Sequence, residues 1–273
     1  MDKIAFVRDF VRESDPDRYF ATLFAPPEKR GDLLALYAFD TEIRALRGKV
    51  REAMAGEIRI RWWQDQIAAP ADVVSGHPIA DTLRAAIHRH RLPLGAFETY
   101  LEARIFDLYD DGFPTRGDLE AYCGETSGLV FQLGALMLDA DAAPKAADAC
   151  GHGACLDVVV RCLGAWEHPD RVRPLVPGDL LAAASLERAQ LGEPSHGHET
   201  EVVRQAMIAL ARDHRGAFLD AAMQLPSGLR PIFLPLASAL AGLGRIERGR
   251  GLPGRPVRQL RMLKVAVAGW PSR

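Results

Sequence analysis

Three carboxylates, Asp107, Asp110 and Asp111, crowd the run Phe-Asp-Leu-Tyr-Asp-Asp-Gly-Phe-Pro at residues 106–114. On a helix, the i, i+3, i+4 spacing places all three on one face. That geometry suits two magnesium ligands, because magnesium takes hard oxygen donors. Three acids at a helix C-terminus also oppose the helix dipole, at about 0.3–1 kcal/mol each. A solvated acidic helix end beside Arg104 and Arg116 therefore competes with a metal site and is the favoured reading.

A second set is basic: Arg44, Arg47, Lys49 and Arg51. Guanidinium forks can hold an anion such as a lipid phosphate without any metal. A solvated basic face is the better account of Arg47, Lys49 and Arg51. Cys150, His152, Cys155 and Cys162 have soft-ligand chemistry, but zinc sites want paired short spacings on a turn, which a helical stretch does not offer. Small thiols in a packed core are the expectation there. The run His196-Gly197-His198-Glu199 reads as a polar loop and helix cap, and Trp62-Trp63 as core and groove packing. Nucleophilic triads, phosphate loops and dinucleotide fingerprints are absent at usable spacing.

These residues sit on helices. Apolar positions recur at three-and-four spacing, and almost nowhere do four residues alternate as a half-buried strand requires, so the fold class is all-α. Helices are expected over residues 16–25, 28–46, 50–69, 77–91, 94–111, 118–138, 144–166, 179–190, 199–224 and 230–248, with prolines and glycines at most of the breaks. The 273 residues, 48% hydrophobic, suffice for one large domain, and no composition shift marks a boundary before residue 249. The expected organisation is one helical domain over 1–248 and a tail over 249–273 with six basic residues, no acidic one, and Leu260, Met262, Leu263, Val265, Val267 and Trp270 interleaved. Such a mix suits an anionic membrane surface, although a disordered or core-packed terminus would look the same.

The net charge of −2 and pI near 6.5 argue against a nucleic-acid partner. No run reaches the eighteen or so apolar residues of a membrane span, and the first fifteen residues mix both charge signs where a signal peptide has its apolar stretch. The expected location is the cytoplasm, with peripheral contact at an inner membrane. Four cysteines are too few and too clustered to staple the chain, so reduced thiols are expected.

The tract DRYFATLFAPPEKRGDLLALYAF resembles the opening of squalene and phytoene synthases, with its aromatic pair, Leu-Phe before proline, Lys29-Arg30, and the run Ala35 to Phe39. Further matches follow in family order: Arg61-Trp62-Trp63 with Asp65, Gly76-His77-Pro78-Ile79-Ala80, Asp107 ahead of Thr115, Leu119 and Tyr122-Cys123, then Gly128. Ala211-Arg212, Leu225-Pro226, Arg230-Pro231 and Leu234-Pro235 are similar to the closing pattern. The resemblance covers residues 15–248 and implies the isoprenoid synthase fold, a single-domain helical bundle around a central cavity.

The family's chemistry removes diphosphate from an allylic prenyl chain, with magnesium as Lewis acid on two aspartate-rich motifs. In this sequence the first set of aspartate positions falls on Arg44, Ala45 and Gly48. Unit charges 4 Å apart interact by about 4 kcal/mol at an effective dielectric of 20, so an arginine there repels a divalent ion. In the second, within residues 157–167, only Glu167 stands near an expected carboxylate. The resemblance therefore extends to the branch of synthase-like proteins without these motifs, which includes assembly factors of mitochondrial respiratory complex I. It implies a non-catalytic factor with no cofactor, a lipid or isoprenoid ligand, and a respiratory-complex assembly partner. Tyr37, Asp40, Arg44, Asp157 and Arg161 are the implied ligand-facing residues of the cavity. The alternative is an active prenyl-diphosphate transferase with Mg²⁺ on Asp107, Asp110 and Asp111.

Overall fold

The computed structural model describes residues 2–109, 111–168 and 172–271. Its helices are α1 (Lys3–Ser14), α2 (Pro16–Thr22), α3 (Pro27–Arg44), α4 (Leu46–Lys49), α5 (Ala53–Ala68), α6 (Pro78–His90) and α7 (Leu94–Ile105). They continue with α8 (Arg116–Cys123), α9 (Leu129–Leu138), α10 (Ala147–Gly164), α11 (Gly178–Ala183), α12 (Gly197–Met223), α13 (Arg230–Phe233), α14 (Leu236–Ile246) and α15 (Arg255–Ala268). No strand occurs among the described residues, and the protein is all-α.

The chain gathers into two compact units, residues 1–109 with 129–147 and 225–235, and residues 110–128 with 148–224 and 236–273. In the first, α3 is the axis: it packs against α1, α2, α6 and α9 and buries Leu33, Leu36, Tyr37, Phe39 and Ile43. Phe39 anchors an aromatic group with Trp63, Phe97 and Tyr100 at ring distances of 5.1, 5.8 and 5.2 Å. Close approach of α9 requires Gly134, where a Cβ would lie 2.1 Å from Ile232 Cδ1. In the second unit, Gly153 lets α10 reach Phe218 of α12 and Leu236 of α14, and α15 packs on α14 through Met262 and Val265.

Among the expected helices that differ in extent, three do so for an identifiable local reason. The helix from residue 94 ends at Ile105, followed by a 3₁₀ turn over Phe106–Leu108 and an extended Tyr109. The run 116–138 is continuous but changes to π-helix over Gly124–Gly128, where the Thr126 hydroxyl donates to Tyr122 O at 2.6 Å and competes with the regular ladder. The helix expected to reach Gln190 stops at Ala183, because Ser185 takes a left-handed φ of 53° and the Arg188 guanidinium turns back to donate to Val176 O and Phe113 O. Gly112, at φ 70°, leaves room for that side chain, since a Cβ there would stand 2.3 Å from Arg188 Cζ.

Candidate functional site

The first unit carries an ionic cluster centred on Asp40. This residue lies in the last turn and a half of α3, on the buried face set by Leu33, Leu36 and Phe39, and it is fully enclosed. Its Oδ2 accepts from Arg18 of α2 in a very close contact and lies 2.9 Å from Arg44 Nε. Its Oδ1 accepts from Tyr100 OH at 2.6 Å and from Arg104 Nη2 at 3.3 Å. A carboxylate offers about four lone-pair positions; three are taken by these donors, and Arg44 Nε stands beside Oδ2 as a charge partner without a hydrogen bond.

The three arginines are themselves balanced. Arg44 Nη2 donates to Asp15 at 3.1 Å, Arg18 Nε stands 3.7 Å from the same carboxylate, and Arg104 Nη1 donates to Asp107 at 2.9 Å. Arg18 also lies over the Tyr37 ring at 5.1 Å and Arg104 over Tyr100 at 5.2 Å. Three cations thus meet three acids. Burial alone would raise the Asp40 pKa, but the charges of Arg44, Arg18 and Arg104 and the Tyr100 hydroxyl reverse this and hold it far below the carboxylate range. Burial likewise opposes the charge of Arg18, yet Asp40 and Asp15 keep it ionised, while desolvation pushes the Tyr37 phenol above its usual value.

The structure brings Tyr37, Asp40 and Arg44 together. Asp157 and Arg161, one turn apart on α10 in the second unit, pair with each other at 3.0 Å and remain partly exposed. Lys49 is held by Glu42 at 3.0 Å, and Arg47 and Arg51 are exposed, as a solvated basic face requires. Of the acidic trio, Asp107 serves Arg104, Asp111 is exposed, and Asp110 lies outside the described residues. The α-helix expected to reach residue 111 ends at Ile105, ahead of Asp107.

Magnesium, which the fold's chemistry requires, does not fit the side chains present. The first aspartate positions hold Arg44, Ala45 and Gly48, and the nearby Asp40 is fully buried against the positive charges of Arg18, Arg44 and Arg104. On α10, Gly164 packs under Leu252, and Glu167 follows the helix end as an exposed residue. Among the described residues no three His, Cys, Asp or Glu side chains gather to hold a metal ion.

Sequence reasoning missed Arg18, Tyr100 and Arg104. The signal existed on α7, where Phe97, Tyr100, Leu101 and Arg104 share one buried face at i, i+3, i+4 and i+7, so an arginine stands on a core stripe. It also missed a histidine relay in the second unit: His152 Nδ1 lies 3.0 Å from His214 Nδ1, and His214 Nε2 lies 3.3 Å from Glu120. Burial lowers the His214 pKa more than Glu120 restores it. The cysteines are core thiols as expected: burial pushes Cys150 and Cys162 up to about 12.

Known proteins agree with this geometry. The squalene/phytoene synthase family model matches residues 11–264, which includes most of α15. The NADH dehydrogenase (ubiquinone) complex I assembly factor 6 of Bos taurus is 27% identical over 250 residues, covering 88% of this chain and 72% of that protein. Its Homo sapiens counterpart is 26% identical over 247 residues, covering 88% and 72%. Among solved structures, a dehydrosqualene synthase in complex with ligand superposes with TM-score 0.74 at 16% identity over 97% of this chain and 95% of that one. The squalene synthase HpnC from Alicyclobacillus acidocaldarius gives 0.70 at 18% identity over 92% and 95%. The fold is therefore that of the isoprenoid synthases, and the chain belongs to the squalene/phytoene synthase family.

Proposed function

We propose that this chain is a synthase-like factor without prenyl-coupling activity, which binds a lipid or protein partner and acts in the assembly of a respiratory complex I. The observation that carries the reading is the Asp40 cluster. Where an active synthase needs unpaired carboxylates to hold magnesium, this chain has a closed set of three arginines and three acids. The similarity to complex I assembly factor 6 over 88% of the chain supports the assembly role.

The ligand class follows from the family's cavity, a lipid or an isoprenoid held without metal. Tyr37 and Asp40 are enclosed, so ligand contact within the first unit falls in this reading to the partly exposed Arg44. The place of action is the cytoplasmic side of an inner membrane. No single described helix is long and apolar enough to cross a membrane.

Two measurements on the full chain test this. Incubation with Mg²⁺ and farnesyl or geranylgeranyl diphosphate should release no diphosphate above the level without protein. Deletion of the gene in its own organism should lower assembled complex I on native gels, and the chain should restore it. Turnover of either diphosphate, or unchanged complex I after deletion, would refute the reading.

A further inference from the structure

Helix α15 buries Met262 and Val265. Its opposite side is apolar as well: Val257, Leu260, Leu263 and Val267, three, three and four residues apart, form one stripe turned to solvent, with Leu260 65% and Val267 78% exposed. A solvent-facing apolar stripe on a short helix marks a surface that is covered in use.

Beside the stripe, α14 and α15 enclose a groove of about 490 Å³. Ala237, Ala241 and Gly244 keep its α14 wall shallow, and Arg248, Arg261 and Lys264 supply its charge. No carboxylate lines it, and these three cations have no ion-pair partner among the described residues. On the helical wheel, Arg261 and Lys264 fall at the edge of the outer stripe that leads toward Val265. The charge pattern extends further, since no Asp or Glu follows Glu247 while seven basic residues do.

We propose that this face is a docking surface for an anionic lipid bilayer. The stripe Val257, Leu260, Leu263 and Val267 enters the interfacial layer, and Arg248, Arg261 and Lys264 hold lipid phosphates over the groove. An apolar row flanked by unpaired cations, with no acid in reach, is complementary to acyl chains beneath a sheet of phosphates. The proposal deepens the peripheral membrane contact of the proposed function. It is tested with lipids alone, so it can fail while the assembly role stands.

The test is flotation of the full chain with vesicles of phosphatidylcholine, with and without phosphatidylglycerol. Binding is expected to the mixed vesicles only, and to weaken with added salt. The pair Leu260→Asp and Val267→Asp should abolish it. The triple change Arg248→Gln, Arg261→Gln and Lys264→Gln should weaken it about a hundred-fold, at about five-fold per basic residue. All five side chains are exposed or unpaired, so melting curves should match the parent. Absence of parent flotation, or equal flotation of parent and variants, overturns the proposal. Binding of dodecyl phosphate by calorimetry without vesicle flotation would assign the groove to a single soluble amphiphile and overturn the docking surface as well.

Discussion

Replacing Asp40 by Asn keeps the shape of the side chain and a partner for Tyr100 but removes the one charge on which three guanidiniums converge. Arg18 and Arg104 are almost wholly enclosed, with side chains 7% and 6% exposed, so their charges cannot turn to water. Breaking a buried ion pair from one side costs about 3–5 kcal/mol. Each arginine keeps a second acid, Asp15 or Asp107, which places the expected loss near the lower end, about 3 kcal/mol. For a chain of this size that is a melting temperature lower by about 6–12 °C.

Acid titration gives a second reading of the same charge. Asp40 has its pKa depressed in the fold, so its stabilisation is complete above the unfolded carboxylate value of about 3.9 and is lost as pH falls below it. The parent should therefore lose stability more steeply below about pH 4 than Asp40→Asn does. Differential scanning calorimetry at pH 7 and across the acid range measures both effects. A melting shift under about 2 °C at pH 7, together with parallel acid limbs, would refute the account of the cluster.

Three further experiments have worked signs. Gly134→Ala drives a methyl into Ile232 and should cost about 1–3 kcal/mol, whereas Gly151→Ala on α10 meets nothing within 4 Å and should gain up to about 1 kcal/mol in helix propensity; opposite melting shifts would check the pair. His214 is held neutral by burial against the pull of Glu120 and Asp213 and with the push of His152, so its stabilisation is present above the ordinary histidine value of 6.5 and is lost as pH falls below it. His214→Phe should flatten the melting-temperature profile below about pH 6.5, and an unchanged slope would count against the relay. Restoring acids at the first motif with Arg44→Asp and Gly48→Asp should still give no diphosphate release with Mg²⁺, because α10 lacks the second set; measurable turnover would show that one motif suffices.

Helix types and positions were legible because burial in an all-α chain imposes a 3.6-residue period on long segments, as α3 and α12 show. Helix ends were less legible. The stop at Ala183 depends on Arg188 reaching carbonyls of residues 113 and 176, which no local pattern encodes. The same holds for the ion cluster. Arg44 could be aimed inward from its place in the motif, but its partners Asp15 and Asp40, and the approach of Arg18 and Arg104 to Asp40, arise from the packing of α2, α3 and α7. The end of α7 was illegible too: the spacing of Asp107 and Asp111 is helical, but the α-helix stops at Ile105.

A metal-gripping wall must keep several carboxylates close together and short of partners, which is a strained arrangement in the absence of the ion. The Asp40 cluster removes that strain by supplying an arginine for each acid. Arg44 is the decisive member, since it stands at a lost ligand position and bridges Asp15 and Asp40 at once. Once three cations and three acids close on each other, a single returning aspartate faces a charge imbalance within the cluster, and the α10 sequence supplies no second motif. Reversal therefore requires coordinated change at several sites, whereas drift on the exposed α15 face costs little stability. The physical freedom of this chain lies at that surface, and the Asp40 cluster holds α2, α3 and α7 together through paired charges.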